Sequence, residues 1–310
     1  MRVVVTGGAG FIGANLTSEL LRSGDEVVVI DDLSTGDSEN LKGLDADLRI
    51  GSILDTELLD AAMQGADAVI HLAAIPSVPR SVKDPVSSHH ANATGTLMVL
   101  DAARRSGGVH VTVASSSSVY GSNPELPKHE AMRCAPMSPY AVSKLATESY
   151  AVAFAECYGL ETLAFRFFNV FGPLQAAGHA YAAVIPAFVD AALAGRPLPL
   201  EGDGSQTRDF TYVGTVVRTL AQAARLRVTS PGPVNLAFGG RTSLRDLIGL
   251  IEKEVGAPLT IDERPRRQGD VPHSQADSSR LQALFPDLSA VPLEDGLADT
   301  VAWFRRVAQR

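Results

Sequence analysis

Cysteine is scarce in this chain, with two among 310 residues, Cys134 and Cys157. Their separation does not match a metal site or a CxxC redox pair, and one pair is too few for a disulfide framework at this length. Both are expected to be reduced. Long apolar runs are also missing. No stretch reaches the roughly 20 residues that span a bilayer. The N-terminal run Val3-Val4-Val5 passes straight into glycines and reads as a buried strand, not as a signal-peptide core. No membrane partner is expected, and the expected location is the cytoplasm. Basic runs are absent too. The formal net charge is -8, from 27 Lys and Arg against 35 Asp and Glu, and nothing could track a phosphate backbone. Nucleic acid is therefore not an expected partner, and an anionic ligand would need local cationic side chains. Repeats and low-complexity segments are lacking as well.

What is present is an ordinary globular composition, 45% hydrophobic, enough for one large core or two smaller ones. Short β-branched runs at 2–6, 26–30, 68–72 and 110–114 alternate with helical patterns at 12–23, 85–105 and 139–158, and a further strand is expected at 162–168. That alternation predicts an α/β fold with a parallel sheet covered by helices on both faces. After Gly172-Pro173 the order loosens. A helix is expected at 185–194, another opens with Thr242 or Ser243 as its cap, and the strand-like stretch 233–238 is placed to return to the main sheet. The expected organisation is a Rossmann-type doubly wound domain over 1–173, with 233–240 returning to its sheet. A smaller α/β substrate-binding lobe takes most of 174–310, across a discontinuous boundary.

Two constellations carry chemistry. Thr6-Gly7-Gly8-Ala9-Gly10-Phe11-Ile12-Gly13 joins the first strand to a helix, so that Gly7, Gly10 and Gly13 permit a tight turn and close approach of backbone to a pyrophosphate at the helix N-terminus. The second strand ends at Asp31-Asp32, where a carboxylate can accept from an adenine ribose diol and would repel a 2′-phosphate, favouring NAD over NADP. The second constellation pairs Tyr140 with Lys144 at i, i+4, on one face of the predicted helix. An ammonium beside the phenol, together with the nicotinamide's positive charge, would lower its pKa and fit it as a general base. The run Ser115-Ser116-Ser117-Ser118 places hydroxyls at the C-terminal edge of the preceding strand, where doubly wound sheets bind ligands.

With these motifs in order, followed by Val119-Tyr120-Gly121, Tyr140-Ala141-Val142-Ser143-Lys144 and Arg166-Phe167-Phe168-Asn169-Val170-Phe171-Gly172-Pro173, the chain resembles the NAD-dependent epimerase/dehydratase family. The likeness includes His71-Leu72-Ala73-Ala74, the stretch from Gly202 to Phe210, and Arg267-Gln268-Gly269-Asp270. It implies NAD as cofactor and no metal. It also implies that Tyr140 is the base, that Lys144 holds the nicotinamide ribose, and that Ser116 bonds the sugar's 4-hydroxyl. Further cofactor contacts implied are Phe11, Ile12, Ser34, Thr35, Gly36, Ser52, Ile53, Leu72, Ala73, Ala74, Asn92, Ser115 and Phe167. Asn169, Arg208 and Arg267 would hold a nucleotide diphosphate, guanidinium being suited to phosphate oxygens, and Ser117, Val184, Glu201 and Asp270 complete the implied substrate site. Homodimer formation through the helices at 85–105 and 139–158 is implied too.

Family members that eliminate water carry an Asp-Glu pair where this chain has Ser117 and Ser118, and UDP-xylose-forming decarboxylases keep a glutamate at the Ser118 position. The resemblance therefore implies 4-epimerisation of a UDP-hexose through a 4-keto sugar. A dehydratase, a 4-keto reductase and a non-catalytic NAD-binding regulator remain the alternatives. Ser52 replaces an aspartate that often holds adenine, Phe167 a tyrosine, Glu201 an aromatic that stacks on uracil, and Ala182-Ala183 two amides. Ser274 stands where a bulky tyrosine can narrow the sugar pocket, so room for an N-acetylhexosamine is expected.

Overall fold

The computed structural model describes residues 1–177, 182–265 and 272–308. Six strands come from the first half: β1 (Arg2–Thr6), β2 (Glu26–Asp31), β3 (Asp47–Ile50), β4 (Ala68–His71), β5 (His110–Ser116) and β6 (Thr162–Phe167). With Val234–Leu236 they build one seven-stranded sheet in the order Val234–Leu236, β6, β5, β4, β1, β2, β3, and every neighbouring pair is parallel. The chain starts mid-sheet at β1, runs outward to β3, then crosses back to lay β4 on the other side of β1. This reversal opens a crevice beyond the carboxyl ends of β1 and β4, where Thr6 pairs with His71.

The strands form where β-branched runs are buried on both faces; Val3, Val4 and Val5 are all 0% exposed. Because side chains alternate across a strand, Val3 and Val5 join the core under helices Phe11–Arg22 and Val213–Arg225. Val4 joins the opposite core with Leu59, Val99 and Phe154. The Pro139–Tyr158 helix begins where Ser138 Oγ accepts the Ala141 N–H at 3.1 Å, with Pro139 in the first turn. It ends at Gly159 with φ +65°. The helix expected at 85–105 is interrupted: Pro85–His89 and Gly95–Arg105 flank a wider, five-residue π turn, His90–Thr94, that contains the buried Asn92. Neither β3 nor the short helix Val78–Lys83 follows from a clean sequence period, since β3 is only half-buried.

The second core gathers helices Val184–Leu193, Leu244–Val255 and Leu293–Ala308 around Phe171, Phe188, Leu247 and Val301. Ser243 is the cap of the second of these, in a reciprocal capping box with Asp246. Short pairings complete this half: Leu198–Glu201 parallel to Ile261–Arg264, Thr207–Arg208 antiparallel to Thr242–Ser243, and Val170–Phe171 parallel to Thr211–Tyr212. A small cluster of Val119, Tyr120, Met132, Phe168, Ala237 and Ala276 packs where the two halves meet.

Candidate active site

The glycine loop occupies the crevice as its sequence requires. Gly7 has φ +72°, and a Cβ there would stand 2.6 Å from the Ala73 amide nitrogen; a Cβ on Gly13 would stand 2.1 Å from the Gly7 carbonyl oxygen. Gly10 caps helix Phe11–Arg22 without a side-chain hydrogen bond, so the first-turn N–H groups of Phe11, Ile12 and Gly13 keep their capacity for an anion. The loop fits a dinucleotide pyrophosphate, because side chains at Gly7 and Gly13 would push it off the end of β4 and off its own helix, away from the first-turn amides.

At the end of β2, Asp31 is 7% exposed. Its Oδ2 accepts the Ala9 N–H and its Oδ1 the Leu33 N–H, both at 2.9 Å. One carboxylate thus fixes the glycine loop and the turn after β2, and each oxygen keeps a lone pair for a ribose hydroxyl. Asp32 is exposed and caps the same turn through the Ser34 N–H. Thr35 is exposed, and Gly36 packs so closely that a Cβ would lie 3.0 Å from either Asp31 oxygen. Beyond β3, Ser52 Oγ accepts the Leu54 N–H at 3.2 Å, and Ile53 packs into the core beside Gly95.

Leu72, Ala73 and Ala74 follow β4 directly and are half-buried. Asn92 is tied in on both sides: its Oδ1 accepts the Ile75 N–H at 2.7 Å, and its Nδ2 donates to Ser143 Oγ at 3.0 Å. Next to it runs a buried polar chain. Thr6 Oγ1 lies 2.7 Å from His71 Nδ1, His71 Nε2 lies 3.0 Å from Thr96 Oγ1, and Thr96 Oγ1 lies 3.1 Å from Thr147 Oγ1. Thr6 precedes the glycine loop and Thr147 lies on the Pro139–Tyr158 helix, so this chain connects the two chemical constellations. Burial, helped by the nearby Lys144 charge, lowers the His71 pKa to about 3 and keeps the ring neutral.

Tyr140 and Lys144 share a helix face toward the end of β5. The Tyr140 hydroxyl lies close enough to Ser116 for the serine to favour its ionised form. Lys144, 5% exposed, donates from Nζ to the Ala114 carbonyl at 2.8 Å, and burial lowers its pKa to about 8. The expected depression of the Tyr140 pKa is not what the protein alone produces. Burial raises it, and Ser116 only partly opposes the rise. Lys144 spends its charge on the Ala114 carbonyl, so lowering Tyr140 falls to Ser116 and to whatever cation binds beside it.

Ser115 is committed to scaffolding, its Oγ lying 3.2 Å from the Lys144 carbonyl and 2.8 Å from Glu148 Oε2. Ser116 and Ser117 remain half-buried at the strand end, and Ser116 Oγ also accepts the Ser118 N–H at 3.2 Å. Phe167, half-buried, ends β6 two residues before Asn169, whose side chain donates to the Asp209 carbonyl at 3.1 Å. Arg208 Nη1 donates to the carbonyls of Thr207 and Pro272 at 2.9 and 3.2 Å. Val184 opens its helix and Glu201 ends the strand Leu198–Glu201, both half-buried. Ser274 donates its N–H to the Thr207 carbonyl at 3.0 Å. Arg267 and Asp270 lie outside the described residues. Among the described residues no group of acids, histidines and cysteines could hold a metal, and no helix is long and apolar enough to cross a membrane.

Residues 3–237 match the family described as NAD dependent epimerase/dehydratase. The chain belongs to this family. The epimerase/dehydratase chain is 38% identical over 322 residues to the UDP-glucose 4-epimerase of Mycolicibacterium smegmatis, with 100% of both covered. Its fold is similar to a UDP-N-acetylglucosamine 4-epimerase from Methanobrevibacter ruminantium solved with UDP-N-acetylmuramic acid: TM-score 0.93, 36% identity, 100% and 99% of the two chains covered. It is similar also to the Thermus thermophilus UDP-glucose 4-epimerase solved with NAD, at TM-score 0.88 and 34% identity over 98% of this chain and 99% of that one.

Three residues of this epimerase/dehydratase fold carry weight that the motifs alone do not announce. Glu148 continues the Tyr140, Lys144 series at i+8, a spacing that could have found it, and ion-pairs with Arg166. His71 and Asp209 are single polar residues inside apolar or loop sequence, and only their burial reveals them.

Proposed function

We propose that the protein is an NAD-dependent 4-epimerase of UDP-hexoses. The observation that carries this reading is the placement of Tyr140, beside Ser116 with Lys144 one turn on, at the strand edge facing a glycine loop shaped for a dinucleotide. NAD, when bound, would supply a reversible hydride acceptor. Tyr140 takes the proton from O4 as the C4 hydrogen leaves as hydride, giving a 4-keto sugar, and returns it when hydride comes back to the other face. Ser116 orients O4 and shares the proton's path; Lys144 holds the nicotinamide ribose. Asp31 accepts from the adenine ribose, and the glycine loop with the first turn of Phe11–Arg22 cradles the pyrophosphate. Asn169, Arg208 and Arg267 take the UDP diphosphate.

Epimerisation is favoured over dehydration because elimination of water needs an acid and a base flanking the sugar carbons. Ser117 and Ser118 offer hydroxyls there, and neither titrates near neutral pH. A 4-keto reductase would need an exchangeable reduced cofactor, so NAD found tightly retained on purification would count against it.

We assign 1–173 with 233–240 to cofactor binding and the rest mainly to the sugar nucleotide. A second copy would dock on the face formed by helices Val78–Lys83, Pro85–His89 and Pro139–Tyr158, where Val82, Val86 and Val142 are 65%, 64% and 52% exposed. Small Ser274 leaves space for an N-acetyl group. Unpaired Cys134 and Cys157 suit the cytoplasm.

The test is proton NMR on purified protein incubated separately with UDP-glucose, UDP-N-acetylglucosamine, UDP-glucuronic acid and dTDP-glucose, with no cofactor added. Appearance of a 4-epimer at unchanged mass supports the reading and names the sugar. A keto or unsaturated product in its place would overturn it.

A further inference from the structure

Among the described residues Asp209 is the most buried carboxylate, 1% exposed, and it has no role in the chemistry above. Its Oδ2 accepts the N–H groups of Gly239 and Ala276, each at 3.0 Å. The amides of Gly240 and Phe238 also face the carboxylate, although among the described residues Oδ1 makes no hydrogen bond of full geometry. Its main-chain carbonyl accepts Asn169 Nδ2 at 3.1 Å. Three stretches far apart in sequence, ending at Asn169, Gly239 and Ala276, are thus tied to one residue.

Two of these stretches carry residues assigned to the sugar nucleotide, Asn169 itself and Ser274 beside Ala276. Asn169 has φ +32°, in the left-handed region, where a non-glycine residue is held by its surroundings at some cost. The Asp209 carbonyl is one such hold, and the Thr211 N–H on the Asn169 carbonyl is another. Arg208 adjoins Asp209 and reaches across to Pro272. Segment 272–276 in turn lies against Thr207, through Thr207 N–H to the Pro272 carbonyl at 3.1 Å and Ser274 N–H to the Thr207 carbonyl at 3.0 Å. Gln275 Nε2 closes the junction on the Gly239 carbonyl at 3.0 Å.

A carboxylate in this nest is a costly way to fasten loops. Among the described residues no cation is among the groups that set its state, and burial raises its pKa to about 6 despite the surrounding amides. A strained asparagine, an arginine and a third loop converging on it point to fixed geometry, not to stability alone.

We propose that Asp209 is a positioning residue that sets Asn169 and Arg208 against segment 272–276, so that the nucleotide diphosphate meets donors already in place. The inference rests on the reading of Asn169 and Arg208 as diphosphate ligands. Tyr140, Ser116 and Lys144 hang on β5 and the Pro139–Tyr158 helix, so loss of Asp209 should weaken nucleotide binding and leave the chemical step nearly intact.

The test compares wild type with Asp209→Asn, a near-isosteric change, by titration calorimetry with UDP, by KM and kcat for the UDP-sugar turned over, and by retained NAD. The expected result is a rise in UDP Kd and in KM of roughly tenfold, with kcat and NAD content close to wild type. Unchanged KM and Kd would overturn the proposal, as would a parallel loss of kcat, NAD and thermal stability, the pattern of a merely structural residue. Should Asp209→Asn fail to fold, Gln275→Ala opens the same junction from its rim. A severalfold higher KM at unchanged kcat supports the proposal and an unchanged KM overturns it. Wild type separates the two readings: if it binds no UDP, the diphosphate site and this role fall together; if it binds UDP and Asp209→Asn binds as tightly, only the role of Asp209 falls.

Discussion

Glu148 and Arg166 form a buried ion pair at 2.6 Å, with side chains 5% and 3% exposed, two turns beyond Tyr140 and one beyond Lys144 on the same helix. The pair joins this helix to β6, and Ser115 Oγ on Glu148 Oε2 joins it to β5. Arg166 also lies over the Tyr120 ring, 4.7 Å from its centre, while its Nη1 has no hydrogen-bond partner among the described residues.

Removing one charge leaves the other uncompensated in a dry place. Glu148→Gln is expected to lower unfolding stability by about 3–5 kcal/mol. Replacing both side chains with apolar ones of similar size, Glu148→Leu with Arg166→Met, is expected to cost far less than the two single changes summed. Urea denaturation of the four proteins in a double-mutant cycle checks this, and additive costs would show that the pair does not act as a unit.

Tyr140→Phe deletes one hydroxyl, which lies beside Ser116, and keeps the ring in its packing. Turnover is expected to fall by roughly two to four orders of magnitude, the usual contribution of a positioned proton acceptor, while melting temperature and retained NAD stay near wild type. Activity within a few-fold of wild type would move the base to another residue.

Sequence pattern read most of the frame because the frame is made of strong periods. The Val3-Val4-Val5 run, the glycine loop and the helix from Pro139 to Tyr158 each satisfy a local rule, so local reading suffices. β3 failed that test because an edge strand exposed on one side has little apolar content to reveal it. The π turn at His90–Thr94 was hidden because it depends on where Asn92 finds partners, Ile75 before it and Ser143 on another helix. The direction of the Tyr140 shift was illegible for a similar reason: spacing places Lys144 beside Tyr140, but only the fold shows Nζ turned to the Ala114 carbonyl. Buried connectors such as Asp209 and His71 have no sequence period at all, since what makes them special is three-dimensional burial.

His71 gives a pH prediction with a definite sign. Its pKa falls from 6.5 to about 3 on folding, burial being the larger cause, so between those values the unfolded chain binds a proton that the folded chain refuses. Unfolding free energy therefore drops as pH falls below 6.5 and this contribution is fully present above it. Once well below 6.5 the drop is about 1.4 kcal/mol per pH unit from this one group. His71→Gln is expected to be less stable at pH 7.5, having lost its bonds to Thr6 and Thr96, and to show a shallower decline from pH 6.5 to 4.5. Denaturant titrations of both proteins across that range decide it; parallel slopes would mean that His71 takes up its proton in the fold.

Gly13 has the least room of the four glycines in the loop after β1. Its Cβ would stand 2.1 Å from the Gly7 carbonyl oxygen and 2.6 Å from the Gly8 Cα, both backbone atoms that no side-chain rotation can move aside. Gly13→Ala must therefore push helix Phe11–Arg22 away from the loop, and with it the first-turn amides that would face the pyrophosphate. The pyrophosphate contact depends on those amides, whereas the Asp31 carboxylate anchors the other side of the loop through Ala9 and stays in place. The expected outcome is loss of most retained NAD on purification, with activity recovered only by adding the cofactor at high concentration. Absorbance of the acid-released dinucleotide and a cofactor titration of activity provide the measurement. A Gly13→Ala protein that retains its full complement of NAD would show that the cofactor does not sit over the start of this helix.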